Sequence, residues 1–138
     1  MLVIDAMTRQ PYSTGAHTSV REVMRLLFEN DVRHLPIVDG RLLIGIVSIR
    51  DLPAVVPTGV AYFGDPHQVE QLLDQPVSNV MTSDVISVLQ TTSLGNAIDL
   101  MLKYKIGALP VVADDGRTLL GILSYADALR VVRPLLSD

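Results

Sequence analysis

A nine-residue pattern occurs twice in this chain and leaves few folds open to it. Ile44-Gly45-Ile46-Val47-Ser48-Ile49-Arg50-Asp51-Leu52 returns as Leu120-Gly121-Ile122-Leu123-Ser124-Tyr125-Ala126-Asp127-Ala128. Each copy reads apolar, Gly, two apolar, Ser, two variable, Asp, apolar. Branched residues ahead of the Ser predict a buried strand, and Ser-x-x-Asp before apolar residues at helical spacing predicts a capped helix start. A strand thus hands over to a helix at two places. Strand ends and helix N-termini collect unpaired N–H groups, which suit them to holding an anion or a ribose.

The duplication extends beyond the motif. Ala6-Met7-Thr8 aligns with Val80-Met81-Thr82 and Leu35-Pro36-Ile37-Val38 with Leu109-Pro110-Val111-Val112, and both 82 − 8 and 110 − 36 give 74. Gly45 and Gly121 are 76 apart, so the second copy carries two extra residues. They fall at Asp114-Asp115-Gly116, opposite Asp39-Gly40, in a hairpin turn that tolerates insertion.

The pattern predicts an α/β (α+β) chain with repeats at 1–57 and 77–138, each running strand, helix, strand, strand, helix. In the first copy, residues 1–9 read as a short helix carrying Val3, Ala6 and Met7, and residues 11–16 as an extended segment. Ser19-Val20-Arg21-Glu22 reads as a capping box opening a helix that buries Val20, Val23, Met24, Leu27 and Phe28 and ends near Asn30. Residues 34–38 and 42–47 form a hairpin, and Pro53 and Pro57 keep the helix after Ser48 short. In the second copy, residues 85–88 are a strand, and Ser93 caps a helix burying Leu94, Ala97, Ile98, Met101 and Leu102. Residues 108–112 and 119–123 form the hairpin, and a longer helix after Ser124 carries Ala128, Leu129, Val132 and Leu135. The linker 58–76 matches neither copy. Pro66 at a first helical position, with Val69, Leu72 and Leu73 along one edge, predicts a short helix that stops at Gln75-Pro76.

Composition narrows the function classes. Apolar residues make up 49% of the 138, enough for a packed interior, while no apolar run approaches the roughly 20 residues that span a bilayer. There is no secretory leader pattern and no cysteine, so a cytoplasmic, membrane-free location is expected and disulfides and thiolate metal sites are excluded. The net charge of −4, with 11 Lys plus Arg against 15 Asp plus Glu, is the wrong sign for a duplex binder, so nucleic acid is not the expected partner. Basic residues still gather around Arg21, Arg25, Arg33, Arg41 and Arg50, and at Arg130 and Arg133, leaving room for a small anion.

Catalytic and metal chemistry find little support. His17, His34 and His67 lack metal-ligand spacing. Ser48 and Ser124 have no neighbouring His and no Gly-x-Ser-x-Gly elbow. Gly45 and Gly121 belong to no phosphate-cradling motif and suit close packing of strand on helix. Met7, Met24, Met81 and Met101 read as core, and Asp114-Asp115 as a solvated turn. Ser-x-x-Asp itself is a near capping box, worth about 1 kcal/mol to a helix without any ligand.

Taken together, Met7-Thr8 and Met81-Thr82, the two Leu-Pro segments with Asp39 after the first, and the paired Gly-x-x-Ser-x-x-Asp junctions make the chain resemble a tandem pair of CBS domains, a Bateman module. That resemblance implies two pseudo-symmetric repeats packed through their sheets into one disc with two clefts. It also implies an adenosine-containing ligand such as AMP, ADP, ATP or S-adenosylmethionine, pairing into a homodimer, a regulated protein partner and no catalysis or required cofactor. Residue by residue, it implies that Asp51 and Asp127 accept the ribose hydroxyls, as acceptor-only carboxylates suit a diol. It places Ser48 and Ser124 at the phosphate. The backbone at Ser13 and Ser87, and at Leu35, Pro36, Ile37, Leu109, Pro110 and Val111, would line the adenine. Arg50, and Arg130 or Arg133, would reach phosphate. Val85 in place of Pro11, Gly15 within the first strand and Ala126 in place of Arg50 imply unequal sites. The competing expectation is a ligand-free scaffold for dimerisation or protein docking, in which both Ser-x-x-Asp motifs act only as caps.

Overall fold

The computed structural model describes residues 1–52 and 66–137. In chain order they form β1 (Thr8–Arg9), β2 (Thr14–Gly15), α1 (Val20–Glu29), β3 (His34–Asp39), β4 (Leu42–Ser48), α2 (Pro66–Asp74), β5 (Val88–Leu89), α3 (Leu94–Tyr104), β6 (Ala108–Val112), β7 (Leu119–Ser124) and α4 (Tyr125–Val132). Single 3-10 turns lie at Val3–Asp5, Val77–Asn79 and Arg133–Leu135. The class is α/β with two sheets. One has the order β1-β7-β6-β5 and the other β2-β3-β4.

The chain divides into two compact units that interleave along the sequence. Unit 1 is Met1–Pro11, Arg41–Leu43 and Ile86–Asp138, and unit 2 is Tyr12–Gly40 and Ile44–Val85. Each core therefore completes itself with the lead-in segment of the other repeat. In unit 1, Val3 is fully buried among Val88, Leu94, Ala97, Met101, Leu109, Val111 and Leu123. Its segment is fastened by Val3 N–H to Thr92 O at 2.8 Å, Ile4 N–H to Gln90 O at 3.0 Å and Leu94 N–H to Met1 O at 2.9 Å. Unit 2 repeats this with Val77, buried among Val20, Val23, Leu27, Leu35, Ile37, Val47 and Leu52, and with Val77 N–H to Thr18 O at 2.7 Å. Burying these two valines keeps each lead-in on its core, since an apolar side chain of that size contributes about 1.5–3 kcal/mol when removed from water.

Local chemistry explains most element ends. Ser19 Oγ accepts from Glu22 N–H and Ser93 Oγ from Asn96 N–H, both at 3.1 Å, so two N-caps stand where predicted. The Ser19 box is only half made: Glu22 turns forward to pair with Arg25 on the exposed face and does not reach back. The Asn30 side chain closes α1 on Leu26 O at 2.9 Å. Gly40 and Gly116 take φ of +62° and +73° in the two hairpin turns, where a Cβ would be strained. In the second turn the Asp115 carboxylate accepts from Arg117 N–H, Thr118 N–H and the Thr118 hydroxyl, which pulls its pKa down to about 2.

Several expectations are corrected. Residues 1–9 are not a helix but a 3-10 turn followed by β1, which adds antiparallel to β7 with Thr8 opposite Ile122. The first strands are shorter than expected, and Gly15 lies within β2 instead of interrupting it, pairing parallel with Val38. Phe28, Leu102, Leu129 and Leu135, expected inward, are 63–68% exposed. On α1 and α3 the inward stripe is filled by Val20, Val23 and Leu27 and by Leu94, Ala97 and Met101, and the apolar residues next to it fall outside that arc. The linker helix forms as α2 and Leu73 packs on the unit 2 core. The helix after Ser48 begins at Leu52, and the predicted effect of Pro53 and Pro57 on it, like residues 58–65, lies outside the described residues.

Candidate functional site

Each unit carries one strand-to-helix junction with its own repeat's predicted residues gathered around it. In unit 1 the antiparallel register of β6 and β7 sets Ala108 opposite Ser124 and Pro110 opposite Ile122, while Tyr125 N–H bonds to Gly107 O at 3.0 Å. In unit 2 the equivalent bond runs from Ile49 N–H to Arg33 O at 2.8 Å. Ser13 and Ser87 each immediately precede a short parallel strand, β2 on β3 and β5 on β6. The side chains of Leu35, Pro36, Ile37, Leu109, Pro110 and Val111 are buried in their cores, so these segments offer a ligand backbone only. Arg50 and Arg130 are exposed.

The motif glycines have a cause different from the expected packing of strand on helix. A Cβ on Gly121 would stand 2.7 Å from Thr8 O and 2.9 Å from Met7 Sδ. One on Gly45 would stand 2.4 Å from Met81 Sδ and 3.1 Å from Thr82 O. The repeated Met-Thr pair thus lies directly over the repeated glycine. Thr82 and Ile46 exchange two 2.9 Å backbone bonds, as β1 pairs with β7 in unit 1.

The two carboxylates differ. Asp127 closes a reciprocal capping box: Ser124 N–H donates to Oδ2 at 2.9 Å while Asp127 N–H donates to Ser124 Oγ at 3.1 Å. The Thr8 hydroxyl donates across both oxygens, at 3.2 Å to Oδ1 and 3.4 Å to Oδ2, and Arg130 donates to Oδ1 at 3.1 Å. At 5% exposure, Asp127 is the only buried charged residue among those described. Asp51 is half-buried and, among the described residues, accepts one bond, from Ser48 N–H at 2.9 Å, while its own N–H goes to Ser48 O. Thr8 was not marked as a site residue by its sequence. Its recurrence as Thr82 was visible, but its meeting with Asp127, 119 positions away, was not.

His34, which stands where the second copy has Ala108, adds a titratable group to the Asp51 junction. Burial lowers its imidazole pKa below the ordinary value, the Asp51 charge opposes that, and the Arg50 and Arg33 charges reinforce it. The unfolded chain therefore binds this proton more readily. The resulting stability is complete above about pH 6.5 and declines as the pH falls through the lower folded value. We expect urea unfolding between pH 8 and 5 to show that decline in the native protein and a shallower one in His34→Ala. Parallel profiles would remove His34 from the account.

Two repeats of strand, helix and strand hairpin, each ending on Ser-x-x-Asp, define a tandem α/β module. The CBS domain model matches residues 3–56 and 77–134, and the chain belongs to the CBS domain family. CBS domain-containing protein YhcV of Bacillus subtilis is 30% identical over 125 residues, covering 91% of this chain and 81% of that one. CBSX2, a protein of Arabidopsis thaliana, has a solved structure in complex with AMP that matches with a TM-score of 0.81 at 31% identity, covering 97% of both chains. The CBS domain pair of protein MJ0100, in complex with 5′-methylthioadenosine and S-adenosyl-L-methionine, matches with a TM-score of 0.78 at 26% identity over 95% of this chain and 98% of that one. The chain spans only 22–42% of the length of several other curated relatives. Among the described residues no helix is long and apolar enough to cross a membrane, and no group of His, Asp and Glu could hold a metal ion.

Proposed function

We propose that this chain is a regulatory module that binds an adenosine-containing ligand, AMP, ADP, ATP or S-adenosylmethionine, at its Ser-x-x-Asp junctions without turning it over. The observation that carries the reading is the Asp51 junction. A half-buried carboxylate with one intramolecular donor among the described residues sits at a strand end beside Ser48, with the exposed Arg50 next to it in sequence. An ionised carboxylate of this kind can accept both hydroxyls of a ribose, and a serine at a strand end close to an arginine suits phosphate. CBS pairs solved with AMP and with S-adenosyl-L-methionine support the ligand class. The ligand acts by binding two conformations of the chain unequally, so its signal equals that difference in affinity. The readers of that signal are a second copy in a homodimer and a regulated protein partner in the cytoplasm.

Calorimetry with the four ligands tests this. Native protein is expected to bind at least one of them, and Asp51→Asn to bind it about tenfold or more weakly, because a charge-assisted hydrogen bond is lost. A second reading, a ligand-free scaffold, draws on the fully occupied carboxylate of Asp127. Folded protein that takes up none of the four would leave that scaffold standing in place of the sensor.

A further inference from the structure

We propose that Thr8 gates the Asp127 carboxylate, so that a ribose diol binds there only by displacing the Thr8 hydroxyl, whereas Asp51 receives the same diol directly. This deepens the adenosine-ligand reading and rests on it. A vicinal diol docks on a carboxylate edge-on, one hydroxyl to each oxygen. At Asp127 that edge is taken: the Thr8 hydroxyl lies astride it, 3.2 Å from Oδ1 and 3.4 Å from Oδ2. Arg130 holds Oδ1 at 3.1 Å and Ser124 N–H holds Oδ2 at 2.9 Å, which leaves little acceptor capacity for two more donors.

Thr8 is held in that position by its backbone. It pairs with Ile122 in β1, and its carbonyl lies against Gly121, where even a Cβ would come within 2.7 Å. The hydroxyl can leave by rotation about χ1 while the strand stays in place. Thr82 has the same backbone placement over Gly45 in unit 2. Yet among the described residues Asp51 accepts only from Ser48 N–H, and no hydroxyl of a described residue occupies the edge of that carboxylate. Among the described residues one copy of the repeat fills its own carboxylate and the other does not, and of the contacts that differ the Thr8 hydroxyl is the one astride the edge a diol would use.

Calorimetry with AMP, repeated with ADP, ATP and S-adenosylmethionine, tests the gate. Native protein is expected to show one tighter and one weaker step, with Asp51→Asn weakening the tighter about tenfold or more. Thr8→Ala should strengthen the weaker step about tenfold, the value of one hydrogen bond to a charged acceptor, while Thr8→Ser, which keeps the hydroxyl, should match the native protein. Thr8→Ala gives up that hydrogen bond in the unliganded fold, so its urea midpoint is expected to fall by no more than one such bond, and a single transition of native slope shows that the variant folds. Two equal steps in the native protein, or a weaker step that Thr8→Ala leaves unchanged, would overturn the gate while leaving ligand binding intact. If neither native protein nor Thr8→Ala binds any of the four ligands, the adenosine reading falls and the gate falls with it.

Discussion

Replacing Gly121 by alanine is expected to lower the unfolding free energy by about 1–3 kcal/mol, the usual range for overpacking, and by more than the same change at Gly45. The two glycines occupy equivalent positions but face different obstacles. The new methyl at 121 meets the Thr8 carbonyl oxygen at 2.7 Å, and that oxygen belongs to a strand paired with β7. The methyl at 45 meets first the Met81 sulfur at 2.4 Å, the end of a flexible side chain, with the Thr82 carbonyl at 3.1 Å. Removing the sulfur should therefore separate them. Met81→Ala added to Gly45→Ala is expected to recover part of its loss, and Met7→Ala added to Gly121→Ala to recover little. Thermal unfolding reads this out at about 4 °C per kcal/mol for a chain of this size. Equal losses at both glycines, or full rescue of Gly121→Ala by Met7→Ala, would show that the backbone contact is not the obstacle.

That contact also marks what could and could not be read from the residues alone. The repeat, the two hairpins, the caps at Ser19, Ser93 and Ser124 and the linker helix after Pro66 all rest on local signals within a few positions of one another, and the fold retains them. The crossing of the lead-ins does not. Val3 and Val77 are 74 apart, as are Met7 and Met81, so a lead-in packing on its own repeat and one packing on the other satisfy the same alignment. The fold decides between them, through the burial of Val3 and Val77 in their cores and bonds such as Val3 N–H to Thr92 O and Val77 N–H to Thr18 O. The helical reading of residues 1–9 failed for a related reason. Val3, Ala6 and Met7 have helical spacing, but β7 offers residues 8–9 a strand edge that no local pattern reveals. Phe28 and Leu129 show the converse: apolar character places a residue near a core face, and the width of the inward arc decides whether it enters.

The same asymmetry yields the other large effect, at the carboxylates themselves. Asp127→Ala is expected to cost about 2–3 kcal/mol of stability and Asp51→Ala less than about 1. Removing the Asp127 carboxylate strips Ser124 N–H, the Thr8 hydroxyl and Arg130 of their acceptor at a position only 5% exposed. Water cannot easily replace a partner there, so the donors left behind bear the desolvation cost. The Arg130 pair adds little, since its guanidinium side is 71% exposed and solvent screens it. Asp51 is half-buried with, among the described residues, a single backbone donor, which water can satisfy once the carboxylate is gone. Urea titrations of both variants with matched slopes measure the difference. Equal losses would mean that Thr8 and burial contribute nothing at Asp127, and would remove the structural ground for unequal sites. A large loss confined to Asp127 ties that carboxylate to holding β1 and α4 together, so a ligand that recruits it must replace bonds the fold already uses. Asp51 carries no such obligation among the described residues, so under the proposed adenosine reading it is the carboxylate expected to fill first as ligand is added.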